Sequence, residues 1–242
     1  MSKIFELNYQ SLYEINTTPE ASTATWSRIG AGITSADPSN NESKDQTNYL
    51  DGDGYAESEI IGAQFTLAFS GHRVHGDAAQ DWIASIEHEL GDNRKTQFRY
   101  TDMKGNKKTG NCTVVDVDFG GGDAASKKEI SFGIDVNGKP TVTPATAATD
   151  LEATVAPGTV AGTTSFTATV TSGSGNSLAY KLKSATQGTV YGGSYAENYI
   201  AYTTGADIAA TAGQYLCMYE LSPYKHVVKY DEVLLTSADI KS

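Results

Sequence analysis

The sequence predicts a mainly β protein: an antiparallel β-sandwich or open barrel with one flanking α-helix, followed by a small immunoglobulin-like β-sandwich. Three observations carry that reading. Apolar residues recur with a period of two in run after run, one stretch alone has a helical period, and the composition changes abruptly near residue 140.

The strands come first. Ala63, Phe65, Leu67 and Phe69 alternate with Gln64, Thr66 and Ala68, the pattern of a half-buried strand. Residues 96–101, 111–119 and 129–136 read the same way. In the second of these, Val115, Val117 and Phe119 are expected on one face, with Asp116 and Asp118 on the other. In the third, Phe132, Ile134 and Val136 oppose Glu129, Ser131 and Asp135. Sheets with one apolar and one acidic face follow from that spacing. The connections Lys104-Gly105-Asn106 and Gly120-Gly121-Gly122-Asp123 are turn-like.

The helix is expected over 77–90, because Ala79, Trp82, Ile83, Ile86 and Leu90 recur at three- and four-residue intervals. Asp77 is placed to cap its first turn with Gln80 three residues on, and Gly91 to stop it. Trp82, Ile83, Ile86 and Leu90 are its expected buried stripe.

Charge is concentrated in the first part. The whole chain of 242 residues has 18 Lys and Arg against 29 Asp and Glu, a net charge of -11. That excludes a basic nucleic-acid footprint. Residues 1–143 hold 13 of the bases and 21 of the acids. Seven acids fall between Asp37 and Glu59 against the single base Lys44, in a stretch dense in turn formers. With little to bury, residues 35–58 are expected to form a long exposed loop, and loops of that length are usually functional. Arg94, Lys95, Lys104, Lys107 and Lys108 are the densest supply of bases to offset it.

Residues 144–150 lack any core-forming pattern and read as a linker between a first domain, 1–143, and a second, 151–242. The second has strand candidates at 165–170, 178–183, 199–203, 214–221 and 227–235. It also holds nine of the 14 tyrosines, and it lacks the Cys-Trp-Cys spacing of antibody domains. No apolar run reaches the ~20 residues of a membrane-spanning helix. The N-terminus has no secretory pattern, so a soluble protein folded in the cytoplasm is expected. Cys112 and Cys217 lie far apart in strand-like runs and support neither a disulfide framework nor a zinc site.

The residue types of a catalytic or metal centre do not converge. His72 and His75 flank a strand-to-helix corner, with His88 and His226 elsewhere, and no further cluster completes a ligand set. Asp51-Gly52-Asp53-Gly54 opens like a calcium loop, but no bidentate Glu follows at the required spacing. No nucleophile elbow and no phosphate-binding glycine loop is present. No catalytic residue, cofactor or metal is assigned, and the protein is expected not to be an enzyme.

Several short motifs in order carry a resemblance: Thr25-Trp26-Ser27-Arg28-Ile29, then Tyr49-Leu50-Asp51-Gly52-Asp53-Gly54, then 65–73 with Gly76-Asp77 before the helix. Phe98-Arg99-Tyr100, Gly120-Gly121-Gly122-Asp123 and Asn137-Gly138-Lys139-Pro140 continue it. Over roughly residues 1–143 the chain resembles the major tail tube proteins of long-tailed, siphovirus-like phages of Gram-positive bacteria. The tail segment, including Ser174-Gly175-Asn176 and 205–209, looks like the Ig-like accessory domains appended to phage virion proteins.

The resemblance implies a homo-oligomer of hexameric rings with a continuous inner β-barrel, stacked into a tube in the virion tail after assembly in the host cytoplasm. DNA would pass through without specific binding during ejection. Tape measure, terminator and distal tail proteins would be its other partners, with no membrane. The 35–58 loop would reach the neighbouring ring, making Asp37, Glu42, Asp45, Tyr49, Leu50, Asp51, Asp53 and Glu57 inter-ring candidates. Acids repel phosphate where bases would bind it, so Asp116, Asp118 and Asp135 are candidates for the lumen wall. A second reading from the tyrosine-rich C-terminal part is a cell-surface or glycan-binding two-domain β module.

Overall fold

A computed structural model describes residues 5–121, 123–171 and 175–242, so Gly122 of the glycine turn and Ser174 of the accessory motif lie outside the described residues. The chain is mainly β, in antiparallel sheets, with one α-helix among the described residues. It divides into two compact units. One comprises Leu12–Tyr100 and Lys108–Val142; the other comprises the segment ending at Ser11, Thr101–Lys107 and Thr143–Ser242.

The first unit is built on strands β1 (Leu12–Asn16), β2 (Trp26–Arg28), β3 (Ile33–Ser39), β4 (Ser43–Asn48), β5 (Ala56–Gly62), β6 (Thr66–His72), β7 (Lys95–Thr101), β8 (Lys107–Asp118), β9 (Glu129–Val136) and β10 (Thr141–Thr143), with helix α1 (Ala78–Ser85). Among the described residues eight of these strands form one sheet, ordered β2-β1-β7-β8-β9-β6-β3, with β10 also against β8. The remaining two, β4 and β5, pair only with each other.

Aromatic contacts show that the sheet curls over. Tyr13 on β1 meets Phe69 on β6 edge-on at 5.4 Å, although three strands separate β1 and β6 in the sheet order. Phe65 and Phe98 likewise meet across the interior at 6.1 Å. Leu67, Phe69, Ile130, Phe132, Ile134, Cys112 and Val114 fill the space between the two halves. Each pleat sends alternate side chains to that interior.

Helix α1 is locked by its first turn. Asp77 caps it by accepting the Gln80 backbone N–H at 3.0 Å. The Gln80 side chain, 1% exposed, accepts the Val74 N–H at 2.8 Å and donates to the Ala31 carbonyl. Arg73 pairs with Asp81, and that guanidinium holds the Asp81 carboxyl below the usual carboxylate range. Ala79, Ile83 and Ile86 are buried and Trp82 packs partly buried against them.

Leu90 requires a correction. It was expected on the same stripe but is exposed, because the helix ends at Ser85 rather than at residue 90. Ile86 has already left helical geometry at ψ 7°, and the Ser85 hydroxyl turns back onto the Trp82 carbonyl at 2.7 Å. Beyond that point the spacing of four residues no longer returns a side chain to the same face.

The second alteration lies in β8. Val114 stands opposite Ile134 and Val115 opposite Gly133, but the next pairing is Asp118 with Ser131, so an extra residue bulges out. Asp116 takes up the left-handed conformation there, φ 49°. The bulge exchanges the faces: Cys112 and Val114 point inward before it, Val117 and Phe119 pack inward after it. Val115, expected beside Val117 and Phe119, is therefore on the polar face, over Gly133. A Cβ on that glycine would lie 2.8 Å from the Val115 methyl.

The second unit is a sandwich of β11 (Thr154–Pro157), β12 (Thr163–Thr167), β13 (Ser177–Lys183), β14 (Ile200–Tyr202), β15 (Ile208–Ala209), β16 (Tyr215–Leu221) and β17 (Val227–Leu234). Among the described residues its sheets are β11-β12-β15 and β14-β13-β16-β17. Phe166 from one sheet stacks at 3.9 Å on Tyr202 of the other, whose hydroxyl also meets the Phe166 backbone at 2.9 Å. Leu216 and Met218 of β16 face that core, while Cys217 and Tyr219 face a second cluster on the far side of the sheet. Both cysteines are free and buried. In the segment expected as a linker, Ala145 donates to the Asn106 side chain at 3.1 Å and Ala148 to the Val190 carbonyl at 2.8 Å.

Two substitutions test the helix. Ile83→Ala is expected to cost ~2 to 5 kcal/mol in denaturant unfolding, as buried truncations do. Leu90→Ser should change stability by less than about 0.5 kcal/mol. Equal losses at both positions would put Leu90 back on the buried stripe.

Candidate assembly surfaces

Two features of the first unit present chemistry to the outside: the polar face of the curled sheet and the β4–β5 ribbon. The face follows from register. β9 sets Asp135 opposite Thr66, Gly133 opposite Ala68, Ser131 opposite Ser70 and Glu129 opposite His72. β3 adds Ser35, Asp37 and Ser39 against Ser70, Ala68 and Thr66. β8 adds Thr113, Val115 and Asp118, with Asp116 at the bulge.

Across these four strands the face therefore carries Asp37, Asp116, Asp118, Glu129 and Asp135, interspersed with small and hydroxyl side chains. Among the described residues at these positions there is no lysine or arginine. Burial raises the Asp135 carboxyl above its ordinary value, and the charge of Asp116 pushes in the same direction. Asp37 was expected in the inter-ring loop; β3 instead sets it on the same face as Asp116, Asp118 and Asp135, where its carboxylate accepts from the Ser35 hydroxyl at 2.7 Å.

The other end of the face is neutralised internally. Glu14, nearly buried, accepts two bonds from Arg99 at 2.5 and 2.7 Å, and the guanidinium lies 4.5 Å over the Trp26 ring. Sequence reasoning did not single out Glu14 or Arg99 as a pair. Their position between Tyr13 and Ile15, and between Phe98 and Tyr100, was the available signal, since it forces both onto the opposite face.

The segment expected as a loop over 35–58 is largely a two-stranded ribbon. Hydrogen-bonded backbone supplies the order that burial does not: Lys44 pairs with Ile60, Asp45 with Glu59, Gln46 with Ser58 and Thr47 with Glu57. Asp45 and Glu59 are like charges directly opposed, a destabilising arrangement. Glu42, Asp45 and Glu57 are exposed along it. At the tip the Gly52 N–H reaches the Tyr49 carbonyl at 3.1 Å, the Tyr55 N–H reaches Gly52 at 2.9 Å, and Asp53 and Gly54 take left-handed φ of 49° and 84°. Asp51 completes this turn. Leu50, Tyr55, Ile61, Tyr49 and Ile60 are all at least half exposed on the ribbon. Acids along the strands and apolar side chains at the tip are left exposed among the described residues.

The bases expected to offset the ribbon are partly engaged. Lys95 pairs with Asp92 at 2.7 Å, Arg94 donates to backbone carbonyls of Glu87 and Glu89, and Lys108 lies 4.7 Å from the Phe65 ring. The histidines do not converge. His226 is buried with Nδ1 2.6 Å from the Gly193 carbonyl, while His88 is exposed 3.8 Å from Glu87. Among the described residues no group of three or more His, Cys, Asp and Glu is placed to hold a metal ion, and no helix is long and apolar enough to cross a membrane.

Residues 156–238 match the family model of the S-layer protein SbsC C-terminal domain. No curated protein matches the chain. Among solved structures, it is similar to a chain in the tail of an empty gene transfer agent particle refined with helical C6 symmetry, at 13% identity and TM-score 0.48. That likeness covers 58% of this chain and 100% of the other. It is similar to domains 7, 8 and 9 of SbsC at 22% identity and TM-score 0.38, covering 57% of this chain and 38% of that one. It is also similar to a chain of the phage p2 baseplate in its activated conformation, at 10% identity and TM-score 0.36, covering 96% and 90%.

The raised Asp135 gives a pH test. Its ionised form opposes folding, so the penalty is present above the folded pKa and vanishes as pH falls below the unfolded value of ~3.9. Asp135→Asn should melt slightly higher than wild type at neutral pH, within about 0.5 kcal/mol, and match it below ~3.9. A lower melting temperature for the variant at neutral pH contradicts the assignment.

Proposed function

We propose that the chain is a non-enzymatic structural subunit of a phage tail tube, self-assembling into hexameric rings that stack around a bore for DNA. The observation that carries this reading is the part of the sheet face across β3, β6, β9 and the bulged half of β8, which bears Asp37, Asp116, Asp118, Glu129 and Asp135 with no lysine or arginine at the paired positions. A wall that lets a polyanion pass must not exchange its counterions for lysines and arginines. Fixed carboxylates lining a narrow channel repel phosphate at short range.

The edges of the same sheet support assembly. Among the described residues β2 and β3 are the terminal strands of the sheet order, and terminal strands are templates for pairing with another chain. Copies joined edge to edge continue one curved sheet into a closed ring, with the polar face inward. The ribbon then reaches the neighbouring ring, seating Tyr49, Leu50 and Tyr55 in apolar contacts while Glu42, Asp45, Asp51, Asp53 and Glu57 meet bases. Tape measure, terminator and distal tail proteins are the expected further partners, and the virion tail the expected location. Residues 1–143 form the tube domain in this reading, and 151–242 an Ig-like accessory module.

The test is electron microscopy of the purified full chain and of a variant with residues 44–60 replaced by a two-residue turn. The full chain should form tubes of constant diameter. The variant should keep a cooperative unfolding transition and stop at single rings. Tubes of wild-type length from the variant would remove the ribbon from ring stacking. A full chain that stays monomeric at high concentration would contradict the tube itself.

A further inference from the structure

The second unit contains a cavity of about 270 Å³ whose lining has no part in the tube reading. Its floor is the outward face of the β14-β13-β16-β17 sheet. Lys181 and Tyr219 are diagonal neighbours there, since Ala179 pairs with Tyr219 and Lys181 with Cys217. The segment between β13 and β14 closes over them, bringing Tyr191, Tyr195 and Glu197 to the wall, and Lys104 adds a second cation.

The floor holds donors without acceptors. Tyr219 is 3% exposed, and its hydroxyl is buried with no hydrogen-bond partner. A stranded buried hydroxyl is costly, so it marks a place where a ligand oxygen or a water completes the bond. Burial raises the Tyr219 hydroxyl above its ordinary value, so it is held as an O–H donor. The Lys181 ammonium lies 5.8 Å from the centre of the Tyr219 ring, and among the described residues the ammonium makes no hydrogen bond or ion pair. Glu197, the acid at the rim, accepts from the Gln10 side chain and keeps its charge. Lys104 and Lys181 against this one carboxylate leave the lining with a net positive charge.

The aromatic wall is held in place. Tyr195 is packed edge-on by Tyr9 at 5.9 Å and by His226 at 5.6 Å, while Tyr191 stands half exposed. Rings fixed in this way present flat faces of the kind that the C–H faces of a pyranose cover, with hydroxyls left to the polar rim. The volume lies just under the ~300 Å³ at which pockets for drug-sized ligands begin, a size suited to one small unit.

We infer that this cavity binds an anionic sugar unit, its acidic group on Lys181 and the Tyr219 hydroxyl and its ring against Tyr191 and Tyr195. The site lies within the second unit alone and does not depend on the tube reading. Uronic acids and sugar phosphates share the required chemistry.

The experiment is a titration of the full chain, followed by NMR, with methyl glucuronide, glucose 6-phosphate and uncharged methyl glucoside. At least one anionic sugar should bind about tenfold or more tightly than the glucoside, a difference of the size a charge-assisted bond supplies. Which of the two anions binds distinguishes carboxylate from phosphate. Lys181→Gln should abolish the preference, and Tyr219→Phe, which removes one oxygen, should weaken the preferred anion severalfold. The second variant keeps the test valid if the first fails to fold. Equal binding of charged and uncharged sugars, no binding of any of the three, or wild-type affinity in a folded variant overturns the proposal.

Discussion

A β-strand has two faces, and in the curled sheet of the first unit only one can be dry. Tyr13, Phe69, Phe98 and Phe132 fill the interior from strands far apart in sheet order, which fixes the register of every strand between them. Everything on the outside follows from that choice. Once Leu67, Ile130 and Ile134 are inward, Ser70, Glu129, Ser131 and Asp135 are outward. The acidic face is thus a consequence of the core, set by alternation rather than by any contact among the acids. Their mutual repulsion is tolerated because the core determines their positions.

The bulge at Asp116 shows how far that constraint extends. Without the extra residue, strict alternation would have sent Val117 and Phe119 outward along with Val115. With it, the strand resets its phase, and Val117 and Phe119 join the core. Strand positions and the apolar side of β9 were legible in the sequence because period two is a local signal. The bulge was not, since Val115, Val117 and Phe119 alternate perfectly in the sequence and only the partner strand shows the slip. The helix was legible in its first two turns, where Asp77 and Gln80 signal the cap, but not at its end. Leu90 keeps the helical spacing while the backbone has already departed. The ribbon was hidden for a related reason: residues 43–62 hold little apolar alternation, and their order rests on backbone pairing, which composition does not report.

The two units solve the problem of covering a sheet differently. In the second unit β16 is buried on both faces, by the Phe166 and Tyr202 layer on one side and by the cluster containing Tyr219 and Val227 on the other. In the first unit the curled sheet buries one face, ends in β2 and β3 in its strand order among the described residues, and holds out an acidic ribbon with an apolar tip.

The central claim is that the edges join and turn the acidic face inward. A cryo-electron microscopy reconstruction of the assembled full chain tests it most directly. The account predicts β2 of one copy beside β3 of the next, with Asp37, Asp116, Asp118 and Asp135 lining the bore. A ring whose bore is lined by other residues, with those four carboxylates on its outer surface, would contradict it.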